Sequence, residues 1–547
     1  MTLSENLLKP IALVAGRHAA AQLKAFLAAH RRTAEVQDAL LAGLVERHAS
    51  TAFGRDHHFA SIRTYEDFRA SVPVGNYETL RPYVKRVFAG QTEALFPGGE
   101  EVVMFSRTSG TTGAPKHIPV TRRFLGQMRR GWNIFGRQAL RDHPAGWLRP
   151  ILQITSPMCE SRSPTGLPCG AISGLLAATQ KRIVRRMYVV PPEVCQIADP
   201  EARYYVTLRC GLGRDVGLIT TANPSSTIRL IETGQAHAER LIRDVADGTL
   251  SPPGEAPASV TGGLRFRANR RLAARMDEGL RRDGELRPRH FWNVVFLANW
   301  TGGTVKLYLP RLRELFGDVP IRDIGLLASE GRFSIPVRDK TPAGIAEITS
   351  NFLEFIPAAE RERENPPTLR AHELEVGAEY FLVVTNFAGL WRYNIDDRIR
   401  VVETFGGSPV FEFLSRGLHT SSITGEKITE HQVVEAMRIA CGRLGAATER
   451  FVLQGRFGRL PHYELRLEPR AGLDAGRLAD ETDRALCELN VEYASKRESG
   501  RLGPIVAKPL APGAMRRNED EKIRARGGRT EQYKHQCLLT EVLREGS

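Results

Sequence analysis

The chain has 547 residues, 42% of them hydrophobic and 25% charged, a globular composition too long for a single ordinary core and too apolar for large-scale disorder. Lys plus Arg (77) exceed Asp plus Glu (62), a formal net charge of +15. The excess is spread along the chain, mostly as arginine, without a basic tail or stripe, so it argues against a dedicated nucleic-acid role and fits attraction of polyphosphates and carboxylates.

The N-terminal stretch mixes acids and bases with its apolar residues and lacks the apolar run of a signal peptide. Residues 3–48 read as two amphipathic helices: Ile11, Leu13, Val14, Leu23, Phe26 and Leu27, then Val36, Leu40, Leu41, Leu44 and Val45, recur at helical spacing. A core-facing pair is expected, a membrane or partner surface being the alternative. No segment reaches the roughly 18 apolar residues of a membrane span. Seven cysteines (Cys159, Cys169, Cys195, Cys210, Cys441, Cys487, Cys537) are scattered without a C-x-x-C pair, which argues against a disulfide framework or structural zinc. A cytoplasmic monomer without membrane or specific nucleic-acid partners is expected.

From Thr51 onward short apolar runs alternate with helical stretches. Strands are expected at Glu101–Phe105, Leu152–Thr155, Val294–Leu297, Ile324–Ala328, Tyr380–Asn386 and Ile399–Val402. Helices are expected at Arg122–Leu140, Ser226–Ala246, Ala268–Leu280 and Val305–Leu315. The alternation predicts an α/β fold with largely parallel sheets flanked by helices. Asp247–Gly262 and Ala358–Pro367 read as surface excursions. Near Phe413-Leu414-Ser415-Arg416-Gly417 the pattern restarts, with strands at Phe451–Leu453 and His462–Leu467 and helices at Glu430–Ala440 and Leu478–Asn490. The expected division is therefore a large domain, 1–414, and a small αβ domain, 415–547.

The densest chemical signal is Phe105-Ser106-Arg107-Thr108-Ser109-Gly110-Thr111-Thr112-Gly113-Ala114-Pro115-Lys116. Small residues let backbone N–H groups approach phosphate, hydroxyls add donors, and the lysine supplies charge. The Gly-Lys-Ser/Thr ending of a P-loop is absent, and the alternative is a Ser/Thr-rich turn between strands. The run resembles the phosphate loop of adenylate-forming enzymes. With Thr51-Ala52-Phe53-Gly54-Arg55, Tyr65-Glu66-Asp67-Phe68, Val72-Pro73-Val74, Tyr77-Glu78 and Lys116-His117-Ile118-Pro119-Val120-Thr121, the likeness is specifically to the Gretchen Hagen family of acyl acid amido synthetases. It runs from about residue 40 to about residue 540. The resemblance implies ATP and Mg2+ as cofactors, a small carboxylic acid and an amino acid as substrates, and a small domain that moves between half-reactions.

Further residues follow. Ser329 and Glu330 end the expected strand from Ile324, where a carboxylate facing a triphosphate suits magnesium. The family carries Tyr-Ala-Ser-Ser-Glu there, and Leu326 stands where an aromatic residue is usual. Asp397 matches the aspartate of the family's Tyr-Arg-x-Gly-Asp, a carboxylate able to accept both ribose hydroxyls, or else half of an Asp-Asp turn. Asn394 and Asp396 replace the usual Arg and Gly, and a glycine there would permit a tighter turn. Arg416 joins the nucleotide set at the hinge. Thr221 and Asn223, in Leu218–Thr227, and Trp300 and Gly302, in Ala298–Gly303, are the acyl-pocket candidates, although capping by Ser225 and Ser226 explains part of that pattern. The resemblance offers two lysines for charge neutralisation at the α-phosphate, Lys427 and Lys534, of which Lys427, close to the hinge, is preferred for contact with phosphate. The rival readings are a coenzyme A ligase and a non-catalytic nucleotide-binding homologue.

Overall fold

A computed structural model describes residues 3–108, 116–180, 182–417, 420–424, 426, 428–448, 450–457, 460–469, 473–525 and 535–544. The N-terminal residues form helices Leu3–Ala29 and Thr33–His48. Leu41, Leu44 and Val45 of the second helix enter the main core, so this helix faces the core as its spacing predicts. Among the described residues no helix is long and apolar enough to cross a membrane.

Among the described residues, three larger sheets and a two-stranded hairpin build the large domain. A parallel sheet of Ile151–Gln153, Leu218–Thr220, Phe296–Asn299 and Ile321–Asp323 is wrapped by helices Pro200–Gly211, Pro224–Ala236, Ala238–Asp247 and Leu309–Phe316. A four-stranded sheet orders Lys116–Thr121, Val102–Thr108, Pro168–Gly170 and Ser161–Arg162. The largest sheet has seven strands and is antiparallel throughout: Ser334–Ile335, Gly344–Ala346, Ser408–Arg416, Leu390–Phe405, Glu379–Asn386, Asn351–Pro357 and Leu369–Arg370.

The expectation of largely parallel sheets is thus corrected. The run Tyr380–Asn386 is buried on both faces, a pattern typical of parallel sheets. Here the helices of residues 33–88 cover one side of an antiparallel sheet, and Val74 and Ala358 pack against Phe381 and Val383 on the other, which gives its strands the same continuous apolar text.

Three local expectations also change. The stretch Ser226–Ala246 breaks at His237 into two helices. The cap of the first is Asn223, whose side chain accepts from the Ser225 N–H at 2.9 Å with Pro224 at the first turn, so Ser225 and Ser226 are not the capping residues. The expected strand Ile324–Ala328 is interrupted at Gly325, which has φ +84°. The parallel strand ends earlier, at Asp323, and Leu327–Ala328 pairs with Gly331–Arg332 as a tight hairpin with Ser329 and Glu330 at its tip.

The small domain has sheet order Val506–Pro509, His462–Leu467, Phe451–Phe457, Leu538–Arg544. Helices Glu430–Leu444 and Ala475–Leu489 supply most of the core on it. Leu307 of the large domain inserts into this core.

Candidate active site

Strand pairing brings the chemical groups together. Thr108 pairs opposite Lys116 on antiparallel strands that flank the hydroxyl-rich run. Ser109, Gly110, Thr111, Thr112 and Gly113 lie outside the described residues, as do Lys427 and Lys534. Of Thr108 only the strand placement is described. On the strand of Thr108 the Ser106 hydroxyl donates to that of Ser329 at 2.8 Å, tying this sheet to the Glu330 hairpin.

Glu330 is 1% exposed, and its Oε1 has no hydrogen-bond partner. A buried, unbonded carboxylate oxygen is costly unless a cation or donor faces it. The nearest guanidinium, Arg416, stands 3.9 Å away at Nη2, too far for a hydrogen bond. The hairpin backbone is pinned from behind: the Asn386 amide donates to the Glu330 carbonyl at 2.8 Å and to Asn351 Oδ1 at 3.0 Å, and Asn351 donates to the Arg332 carbonyl at 2.8 Å.

Asp397 pairs across the seven-stranded sheet with Arg416, with 3.6 Å between Asp397 Oδ1 and Arg416 Nε. Asp397, burial and Glu330 all act on the Arg416 guanidinium, which is held above its ordinary value. Lys116 is half-buried, its Nζ 5.7 Å from the centroid of the Tyr77 ring. Burial lowers its ammonium, while Glu330 raises it and Arg416 lowers it further. Tyr77 is fixed by the His117 N–H, which donates to its hydroxyl at 2.9 Å.

Asp396 answers the question raised by the missing glycine. Its φ is +64°, the left-handed region that glycine adopts freely and aspartate tolerates better than most residues. The Asn394 side chain accepts from the Asp396 N–H at 2.8 Å, and Arg361 grips the Asp396 carboxylate at 2.6 Å. The two departures from the family pattern therefore work as a pair. Neither residue is in a hairpin turn; both lie within strand Leu390–Phe405.

A cavity of about 100 Å3 opens beside Asp397 and Arg416. Among its walls are Asn223, Trp300, Gly302, Leu326, Phe413 and, from the small domain, His535 and Cys537. Three of the four acyl-pocket candidates thus line it. Thr221 does not: its hydroxyl is within 2.9 Å of Thr227 and accepts from Asn299 at 2.6 Å, a network that ties two strand ends together. Asp323, which sequence reasoning passed over, accepts from the N–H and hydroxyl of Thr301 at 2.6 and 2.8 Å and from the Gly325 N–H at 2.6 Å, and so shapes both loops of the cavity. Burial pushes its carboxyl up to about 6. His535 and Cys537 were missed because only docking of the small domain carries them here. A larger cavity of about 240 Å3, between Gln153–Thr155 and Tyr188–Cys195, gathers none of the predicted residues.

Among the described residues no group of three or more His, Cys, Asp or Glu side chains gathers as a metal centre. The donor set at Glu330 suits a metal that takes one or two protein carboxylates and fills its shell with phosphate and water, as magnesium does.

The fold combines parallel and antiparallel sheets in a large domain with a small αβ domain. Models of the GH3 family match the chain as the N-terminal domain over residues 22–321, the central domain over 345–416 and the C-terminal domain over 431–542. The chain belongs to the GH3 family. Among its relatives are a probable indole-3-acetic acid-amido synthetase, GH3.1, of Oryza sativa subsp. japonica, 26% identical over 91% of this chain and 86% of that protein, and the jasmonoyl–L-amino acid synthetase JAR6 of Nicotiana attenuata, 26% identical over 75% and 74%. The fold matches that of the AtGH3.15 acyl acid amido synthetase in complex with 2,4-DB with a TM-score of 0.83 at 21% identity, covering 96% of this chain and 94% of that one.

Proposed function

We propose that the chain is an ATP-dependent acyl acid amido synthetase that activates a small carboxylic acid as its adenylate and transfers the acyl group to an amine, an amino acid. The observation that carries this reading is the buried Glu330 carboxylate with an unbonded oxygen, facing Lys116, Arg416 and Asp397 beside the cavity. Family membership supports it, because the relatives above are named for this activity.

In the first step a carboxylate oxygen of the acid attacks the α-phosphorus of ATP. The new P–O bond forms as the bridging P–O bond to the β-phosphate breaks, and pyrophosphate leaves. Lys116 and the hydroxyl-rich run, Thr108 to Gly113, hold the phosphates. Asp397 accepts the ribose hydroxyls, and Arg416 offsets negative charge between the two carboxylates. The apolar walls at Leu326, Trp300 and Phe413 receive the flat parts of the ligands. Glu330, with Ser329 beside it, would hold Mg2+, which when bound screens the charge of the triphosphate. In the second step the amine nitrogen attacks the acyl carbon, the C–N bond forms, the C–O bond to AMP breaks, and the amine loses a proton. Exclusion of water protects the mixed anhydride in between.

For the two lysines, His535 bears on the choice. It lines the cavity with Asp397 and Arg416 and directly follows Lys534 in the chain, whereas the neighbour of Lys427, Glu426, is turned into the small-domain core, accepting from Tyr463, Ile423 and Thr424. Lys534 is therefore the residue that neutralises charge during adenylation. The division expected after residue 414 shifts to follow Arg416, because strand Ser408–Arg416 pairs to its end with Asp397 in the large-domain sheet, and the moving part begins beyond it. None of the seven cysteines is in a disulfide, which suits the cytoplasm.

The test is acid-dependent exchange of labelled pyrophosphate into ATP, with benzoate, indole-3-acetate, a jasmonate and 2,4-DB as probes, followed by AMP release with amino acids or with coenzyme A. Exchange with at least one acid and amide formation are expected, with Lys534→Ala losing exchange and Lys427→Ala keeping it. No exchange with a broad acid library overturns adenylation, and thioester formation in place of amide overturns the choice of acceptor.

A further inference from the structure

The seam between the two domains carries a set of ion pairs that the chemistry above does not use. Helix Ala514–Ala525 of the small domain lies against helix Pro224–Ala236 of the large one. Arg229 takes Asp520 with both ends of its guanidinium, Nη1 on Oδ1 and Nη2 on Oδ2, the latter at 3.0 Å. Around this fork stand Arg516–Glu232 at 3.5 Å and Arg524–Asp199 at 3.6 Å. Arg229 is 7% exposed, so its pair is shielded from solvent in a way that the exposed Arg524 pair is not. Planar bidentate geometry and burial separate a pair that orients two bodies from surface pairs worth little.

The seam is not otherwise tightly packed. A polar cavity of about 540 Å3 lies within it, between Glu232 and Arg311 on one side and Thr448, Arg450, Glu468 and Arg516 on the other. Charge rather than close apolar packing holds this side of the interface, so it can open without exposing a core. On the other side of the seam, Leu307 supplies the apolar contact.

Both partners are wired to the active-site cavity. Arg229 sits on the helix capped by Asn223, a cavity residue. Asp520 sits on a helix tied to the small domain by the Glu519–Arg450 pair, and the same domain carries His535, bonded to the Phe451 carbonyl, and Cys537 in the opposite wall. The fork therefore fixes the distance between two walls of one pocket.

We propose that Arg229 and Asp520 are positioning residues that lock the small domain in the pose seating His535 against the cavity, and whose release frees that domain for the amide-forming step. This rests on the two-step reading above. It concerns the balance between two poses, and a ligand or a mutation shifts such a balance only through its differential interaction with them. The fork exists in one pose, so its loss penalises the step that needs that pose and spares the other.

The experiment separates the half-reactions in the full chain. Pyrophosphate exchange is measured with whichever of benzoate, indole-3-acetate, a jasmonate or 2,4-DB the wild type accepts, and amide formation is measured from that acid's synthetic adenylate. Arg229→Ala and Asp520→Ala are each expected to lower exchange about tenfold and to leave amide formation within about twofold or faster. Arg229→Lys, which keeps the charge but loses the fork, falls between. The exchanged pair Arg229→Asp with Asp520→Arg restores exchange. Equal loss of both half-reactions, no loss of either, or no rescue by the exchanged pair overturns the proposal. Hydrogen exchange of the ligand-free protein is a second readout: Arg229→Ala should deprotect 514–525 and leave the strand Glu379–Asn386 protected. Unchanged protection at 514–525 overturns the lock even if the wild type activates none of the four acids, a result that would instead count against the adenylation reading.

Discussion

Two arginine–carboxylate forks stand in opposite situations in this molecule. Arg392 and Glu354 lie inside the large domain, 2% and 0% exposed. Arg392 Nε meets both Glu354 oxygens at 3.0 Å, Nη2 adds a bond at 2.8 Å, Nη1 donates to the Val72 carbonyl, and Tyr65 and Thr368 complete the carboxylate. Arg229 and Asp520 form a second fork, end-on through Nη1 and Nη2, across a seam that includes a polar cavity. The first is surrounded by a closed network and ties helix Tyr65–Ser71 to the seven-stranded sheet. The second joins two bodies along a face that can part. The same chemistry acts as a rivet in one place and as a catch in the other, and what decides is whether the surroundings leave it an alternative.

The comparison breaks most directly at the rivet. Arg392→Ala leaves Glu354 charged and buried, and removal of one partner from such a pair costs about 3–5 kcal/mol. Arg392 also sits at φ +40°, a conformation that alanine adopts no more easily. Chemical denaturation should report a loss of that order, with activity per folded molecule retained at low temperature. Arg392→Leu combined with Glu354→Gln, which leaves no uncompensated charge, should recover part of the loss. If Arg392→Ala instead proves nearly neutral in stability, the two forks do not differ in the way described.

Glu330 sharpens the contrast from the catalytic side. It is as buried as Glu354 but, among the described residues, has an oxygen no donor satisfies, so its burial strains the fold rather than supporting it. Glu330→Gln removes that buried charge and should leave the denaturation midpoint unchanged or raise it. Exchange of pyrophosphate should fall by about 10²–10³, on the order of 3–4 kcal/mol of transition-state stabilisation. Equal activity of the variant would remove Glu330 from the site.

These residues differ in how far the sequence announces them. Glu330 can be found because it ends an apolar run with a carboxylate, Asp397 because it matches the aspartate of the family's Tyr-Arg-x-Gly-Asp, and Lys116 because it closes a hydroxyl-rich run. The backbone around them is less legible. Asp396 at φ +64° depends on Asn394 two residues back and on Arg361 in a distant loop, so a local reading finds only a missing glycine. Glu330 reads as the end of one long strand, whereas Gly325 breaks that strand and folds the carboxylate into a hairpin tip. Long-range pairing is less visible still. A strand buried on both faces reads the same in a parallel sheet and in this antiparallel one, and Thr221 reads as a pocket hydroxyl until Asn299 and Thr227 are seen to claim it. The domain seam has no sequence signature, because Arg229 and Asp520 are 291 residues apart and each resembles any charge on an amphipathic helix.

The smallest effect concerns the catch and pH. Enclosure by protein pushes the His535 imidazole down to about 4 from its ordinary 6.5, although its Nε2–H donates to the Phe451 carbonyl at 2.7 Å. A histidine whose folded value is depressed contributes fully above its free value, and that contribution is lost as pH falls through 6.5 toward 4. At pH 5.5 the linkage penalty for keeping His535 seated is about 1.4 kcal/mol, enough to shift a balanced pair of poses roughly tenfold. Arg450 and Lys522 lower it further. The ratio of exchange to amide formation should therefore fall between pH 7.5 and pH 5.5 in the wild type and stay nearly level in His535→Gln, which cannot be protonated. The drop should add to that of Arg229→Ala only in part, since both act on one equilibrium. A ratio equally pH-dependent in His535→Gln would assign the effect to other groups and leave the fork as the sole element of the catch.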